Sequence, residues 1–219
     1  MSGSASRPKL RAFFLPPMRH LLTRLFLCCA VVAALSGCGY NAIQVGDEHV
    51  KAAWSEVLNQ YQRRADLVPN LVAAVKGYAA HEKAVLTEVT EARSRAAGAT
   101  LPADPPGDEA TARRVGAAQD QLGQALSRLL VVSERYPELK ADGLFRDLLA
   151  QLEGTENRIA VARGRYVEAV QGYNALIRQF PQVVTAKLFG YAPKVGFSVA
   201  SEAAITAAPK VDFAPQPAR

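Results

Sequence analysis

The chain has 219 residues, enough for one well-buried domain, and its 26 basic against 20 acidic residues give a formal charge of +6. The excess is local: Arg7, Lys9, Arg11, Arg19 and Arg24 precede the first acid, and setting those five aside leaves 21 basic residues against 20 acidic ones. A body so evenly charged excludes a basic stripe for nucleic acid, and with all 3 cysteines at or before Cys38 it has no thiol for a disulfide framework or a cysteine metal site.

The first element is a leader, residues 1–37. From Met18 it reads MRHLLTRLFLCCAVVAALSGC: a positive start, an apolar run from Leu25 to Leu35, and small residues before a cysteine. This is the layout of a secretory signal, with an apolar run shorter than the roughly 20 residues a membrane-spanning helix needs. LSGC resembles a bacterial lipobox, which implies cleavage before Cys38 and a diacylglyceryl thioether on its sulfur. An uncleaved signal anchor with snorkelling flanks is the other reading. Both leave the positive residues in the cytoplasm and the body on the far side of the membrane.

The body, residues 38–189, has helical period almost throughout. Val50, Ala53, Trp54, Val57, Leu58 and Tyr61 mark a first helix over 44–65, and Arg63 and Arg64 in its last turn suit the helix dipole. ADLVPNL then offers Asp66 as an N-cap and Pro69 in a first turn. A second helix is therefore expected over 67–98, unless the first kinks sharply there instead, with a seam through Val68, Leu71, Val75, Tyr78, Glu82, Val85, Val89, Ala92 and Ala96. The loop GATLPADPPGDE separates it from a third over 108–136, whose seam runs Val115, Ala118, Leu122, Ala125, Leu129, Val132, Tyr136.

YPELKADG leads into a fourth helix over 142–180. Its seam, Phe145, Leu148, Leu152, Thr155, Ile159, Ala162, Tyr166, Ala169, Tyr173, Leu176 and Phe180, alternates steps of three and four with Thr155 as its polar member. Short connections between long amphipathic helices favour antiparallel neighbours. The expected fold class is thus all-α, an antiparallel four-helix bundle of long helices. Residues 190–219 are Pro-punctuated and read as an extended tail, either docked on the bundle through Phe197 and Phe213 or disordered.

Three stretches, Ala53 to Ala96, Tyr136 to Pro181 and the closing PKVDF, Pro209 to Phe213, resemble the LemA family of bacterial membrane proteins. The blocks DLVPNL, VKGYAAHE and TENRIAVAR are the specific part. The resemblance implies an amino-terminal membrane anchor and an antiparallel helical bundle, and it implies no established catalytic activity. Many relatives look as though they retain a transmembrane helix. The lipobox-like ending here departs from that pattern.

A helical bundle can hold two irons through Glu-x-x-His pairs, but His49 directly follows Glu48 and His81 directly precedes Glu82. AAHEKAV also lacks the second histidine of a zinc helix. No complete catalytic constellation is present, so neither enzyme activity, a metal nor another cofactor is expected. The polar exceptions are the candidate sites. Glu82 falls on a seam, and Thr155, Glu156, Asn157 and Arg158 interrupt another, so antiparallel pairing suggests Glu82 against Arg158 or Arg163 in a register-setting layer. His81 lies beside it. Arg63, Arg64, Asp66 and Asn70 cluster at the expected helix junction and form a candidate docking surface. The function these features suggest is a membrane-tethered envelope protein that binds or scaffolds a protein partner, or its own copies. The alternative is a ligand-sensing or enzymatic bundle built on the polar layer.

Overall fold

The structure, a computed structural model, describes residues 16–98 and 101–197, without the side chains of residues 16–21, 28 and 30–38. The regular structure among the described residues is all helical: α1 Pro16–Tyr78, α2 Lys83–Gly98, α3 Glu109–Ser133, α4 Pro137–Ala141, α5 Gly143–Leu176 and α6 Gln182–Phe189. The Cys38 side chain, where lipidation is expected, and Phe213 lie outside the described residues.

The largest departure from expectation is α1. No break occurs at Asp66: the helix passes through Pro69 without interruption and runs for 63 residues. Proline removes the N–H that would bond the carbonyl four residues back, which here is Ala65. A buried carbonyl left unpaired is costly, and Arg93 of α2 fills the gap, donating from Nε to the Ala65 oxygen at 2.8 Å. Asp66 consequently caps nothing; its carboxylate accepts from Gln62, one turn earlier, at 2.7 Å. The chain reverses instead at residues 79–82, where the Glu82 N–H closes a turn on the Ala79 carbonyl.

Moving the reversal changes which residues face inward. Ala79 and Leu86 are buried where Tyr78 and Val85 were expected, and Tyr78 is exposed. Tyr78 donates to Asp142 at 2.9 Å at the mouth of α5. The α3 and α5 starts follow capping rules: Asp108 accepts from the Thr111 N–H and Asp142 from the Phe145 N–H, satisfying donors that a helix start leaves free. The short α4 tucks Leu139 under the turn between α3 and α5.

α5 packs along α1, and each step forward on one is a step back on the other. Trp54 stacks near Tyr166, Arg64 meets Glu156, and Tyr78 meets Asp142. α2 and α3 pair in the same antiparallel sense, Arg128 with Glu88 near one end and Gln119 with Ala96 at the other. The first nine expected seam positions of α5, Phe145 to Tyr173, are all buried. The helix stops at Leu176, and Phe180 points to solvent.

The interior divides at the level of Arg64. One core gathers Val68–Val75 of α1, α2, Leu122–Leu129 of α3 and the start of α5; the other joins Ile43–Tyr61 of α1 to Ile159–Tyr173 of α5. Fully buried side chains such as Trp54, Tyr61, Phe145 and Tyr166 contribute about 1.5–3 kcal/mol apiece by removal from water. At the end of the body nearest Gly39, α6 was not expected, whereas the docking of the tail through Phe197 was. α6 folds back on α1, so close that Gly39 has no room for a Cβ against the Thr185 hydroxyl, only 2.9 Å away. Residues 191–197 then dock on the helices: Tyr166 donates to the Val195 carbonyl, Asn174 pairs with Lys194, and Phe197 packs on Trp54 and Tyr166.

Candidate functional site

The polar layer between the two cores centres on Arg64. Its position on the inner face of α1 follows from the helix continuing past residue 65: a residue expected in an exposed final turn sits in mid-helix, 3% exposed. Its guanidinium donates from Nη1 to both Glu156 oxygens, at 3.0 and 3.1 Å, and from Nη2 to the Gln119 carbonyl at 3.1 Å and to the Gln119 side-chain oxygen. Its Nε has no partner. Gln119 carries the layer into α2 by donating to the Ala96 carbonyl at 3.3 Å. Three helices therefore share one buried charge, as a cation removed from water requires.

Tyr61 lies one turn earlier, with the Arg64 guanidinium 5.7 Å from its ring centre on one side and that of Arg163 at 5.4 Å. Arg163 also donates from Nε to the Tyr61 hydroxyl at 2.7 Å and approaches Asp120 at 3.8 Å. Burial raises the Tyr61 phenol above its usual range, opposed by the two arginines, so the hydroxyl stays neutral. α3 touches α5 little along this stretch. The gap is a cleft of about 650 Å³, with Arg64, Gln119 and Glu156 on its floor and Asp120, Arg128 and Arg163 at its rim.

A match to a family model described as the LemA family covers residues 53–213. The chain belongs to the LemA family. Within this LemA chain, the three blocks that resemble the family fall at structural decision points. DLVPNL holds the proline whose orphaned carbonyl Arg93 answers, VKGYAAHE the reversal after α1, and TENRIAVAR the α5 side of the Arg64 layer. Curated relatives include the magnetosome protein MamQ of Magnetospirillum gryphiswaldense, 26% identical over 168 residues, and MamQ 1 and MamQ 2 of Paramagnetospirillum magneticum, each 27% identical over 168 residues. The alignments cover 69% of this LemA chain and 62% of each relative, so the chain spans less than two thirds of their length.

The LemA layer does not use the partners expected for it. Glu82 lies at the α1–α2 reversal, far from Arg158 and Arg163; it binds Arg135 at 2.8 Å and accepts from Tyr136 at 3.2 Å. The four-residue turn moved it off the seam. His81 is exposed in that turn. Thr155 is buried, with its hydroxyl returned to the Gln151 carbonyl at 2.7 Å; Arg158 bonds Thr155 at 3.3 Å, and Asn157 faces solvent. Of the expected junction cluster, Arg63, Asp66 and Asn70 share a shallow surface depression, while Arg64 turns inward.

Gln119 was the missed member. The buried positions Ala112, Val115, Gln119, Leu122, Leu126, Leu129 and Ser133 of α3 alternate steps of three and four as regularly as the expected seam does. Preference for the apolar Ala118 hid the polar alternative. Among the described residues, no group of three or more His, Cys, Asp or Glu is placed to hold a metal ion.

Proposed function

We propose that this LemA-family chain is a membrane-moored protein of the bacterial cell envelope whose antiparallel four-helix body binds or scaffolds a protein partner on the non-cytoplasmic side, without bond-making chemistry. The observation that carries the reading is the continuity of α1, which runs from the apolar leader at Pro16 to the turn at Tyr78. At 1.5 Å per residue, 63 residues span about 95 Å. No linker separates the expected mooring point from the body, so motion of the membrane end is passed directly to the helices. Lipidation at Cys38 or retention of the leader would equally hold the body at the membrane surface and raise its effective concentration at partners there. The similarity to magnetosome proteins of two bacteria is compatible with this setting.

The test is site-specific photocrosslinking from exposed positions along the body, such as Arg63, Asn70 and Asn157, in intact cells. A reproducible partner adduct, or an adduct between copies, supports the reading. Its absence from every position, together with an unmodified and uncleaved amino terminus on soluble protein, overturns it.

A second reading places a small ligand in the cleft between α3 and α5. It is favoured by one observation, the partnerless Nε of Arg64 beneath that cleft. Native mass spectrometry of protein purified from cells separates the two, since a retained small molecule lost on Arg64→Met substitution supports the second.

A further inference from the structure

The lower end of the molecule has a character unlike the rest. No acidic residue occurs between Met1 and Gly46 or between Ala169 and Ser201, although the second stretch contains Arg178, Lys187 and Lys194. The structure brings these two stretches together. Gly39 and Tyr40 of α1 meet Thr185 and Phe189 of α6, the rings of Tyr40 and Phe189 lying 5.4 Å apart. The packed face of α6 is small, with Thr185 and Ala186 buried. Its other face is apolar and open to solvent: Val184 and Leu188, one turn apart, are 59% and 76% exposed, and Phe180 just before the helix is 77% exposed. Exposed cations, Arg178 and Lys187, flank them.

We propose that α6 is an interfacial helix that lies on the anionic lipid surface beside the point where α1 meets the membrane. This deepens the mooring reading and rests on it. Lys194 is paired with Asp47 at 2.6 Å, but the cations beside the open face, Arg178 and Lys187, are exposed, and apolar side chains flanked by exposed cations match the boundary between acyl chains and anionic headgroups. The placement argues for lipid in particular. α1 continues past the α6 contact into the leader, where Leu22, Leu25, Phe26 and Leu27 are also exposed, so one apolar surface follows α1 toward the membrane and the other spreads sideways at its foot. Either anchor type leaves Gly39 at the boundary. Under both, α6 acts as a foot that sets the tilt of α1 and gives the body a second contact with the bilayer.

The test uses the full chain with its native anchor, reconstituted in phosphatidylethanolamine and phosphatidylglycerol vesicles that contain lipid brominated near the headgroup. Leu188→Trp reports on α6. Leu144→Trp is the control, at a site 64% exposed near the opposite end of α5. It lies level with Tyr78, some 39 residues along α1 from Gly39 and thus roughly 60 Å away. Trp54 is a constant background. If the protein floats with the vesicles and the Leu188→Trp signal is quenched at least about two-fold more than the control, as interfacial burial requires, the proposal stands. Flotation with equal quenching overturns it and leaves the mooring reading intact. Failure to float overturns both. Shielding of Leu188→Trp from brominated lipid and from aqueous acrylamide alike means that protein covers the face, and it overturns the lipid assignment.

Discussion

The Arg93 contact makes Pro69 tolerable in the middle of α1, and it can be tested as a thermodynamic cycle. Arg93→Ala removes the donor that satisfies the Ala65 carbonyl at 2.8 Å. Ala65 is 6% exposed, so water replaces the donor poorly. A hydrogen bond from a charged group is worth about 1.5–3 kcal/mol; Arg93 is itself only partly buried, which argues for the lower end, about 1.5 kcal/mol. Pro69→Ala supplies the missing N–H and relieves a proline in a helix interior, and up to about 3 kcal/mol of stability is available. In that background the Ala65 carbonyl bonds within the helix. Arg93→Ala should then cost no more than about 0.5 kcal/mol, leaving a coupling near 1 kcal/mol. Urea unfolding followed by circular dichroism at 222 nm measures all four corners. Equal costs for Arg93→Ala in the two backgrounds would refute the reasoning, because the arginine would then be acting through packing alone.

The Arg64 layer should behave as a unit. Glu156→Ala leaves a buried cation with only Gln119 acceptors and should cost about 2 kcal/mol, less than a fully buried pair because Glu156 is half exposed. That is roughly 4–8 °C in Tm for a body of this size. Adding Arg64→Met should recover most of the loss in the same thermal scans, whereas additive losses would contradict the pairing. Phe197→Ala should release the tail from the single tryptophan, and a red-shifted, more acrylamide-accessible Trp54 emission with unchanged helicity checks it. Burial pushes the Tyr166 phenol up to about 12 from 10.0. The folded state therefore holds this proton more tightly, and its contribution to stability, complete below pH 10, falls as pH rises from about 10 to 12. Urea midpoints across that window should drop less steeply in Tyr166→Phe. Gly39→Leu should force α6 off α1, costing about 1–3 kcal/mol by overpacking, with faster hydrogen exchange confined to residues 182–191.

The α5 seam from Phe145 to Tyr173 was legible because a long, regular apolar repeat dictates which face is buried whatever the neighbours are. The start of the third helix near Asp108, and the aromatic interior of Trp54 and Tyr61, were legible for the same local reason. Pro69 was misread because the penalty for proline inside a helix is local, while its relief comes from Arg93, 28 residues on from the Ala65 carbonyl it satisfies. Glu82 was then carried to the wrong partner. A continuous α1 moves the reversal to residues 79–82 and takes Glu82 off the seam.

By itself, then, the sequence determined the helical character, the buried face of α5 and the apolar run before Cys38, since periodicity and composition act within a few turns. Tertiary structure alone decided that Arg64 rather than Glu82 is the buried charge, that Gln119 and Glu156 hold it, and that α6 packs on α1 at Gly39 and Tyr40. Those outcomes depend on which helix ends up opposite which. That is settled by packing between segments as far apart as Arg64 and Glu156, separated by 92 residues.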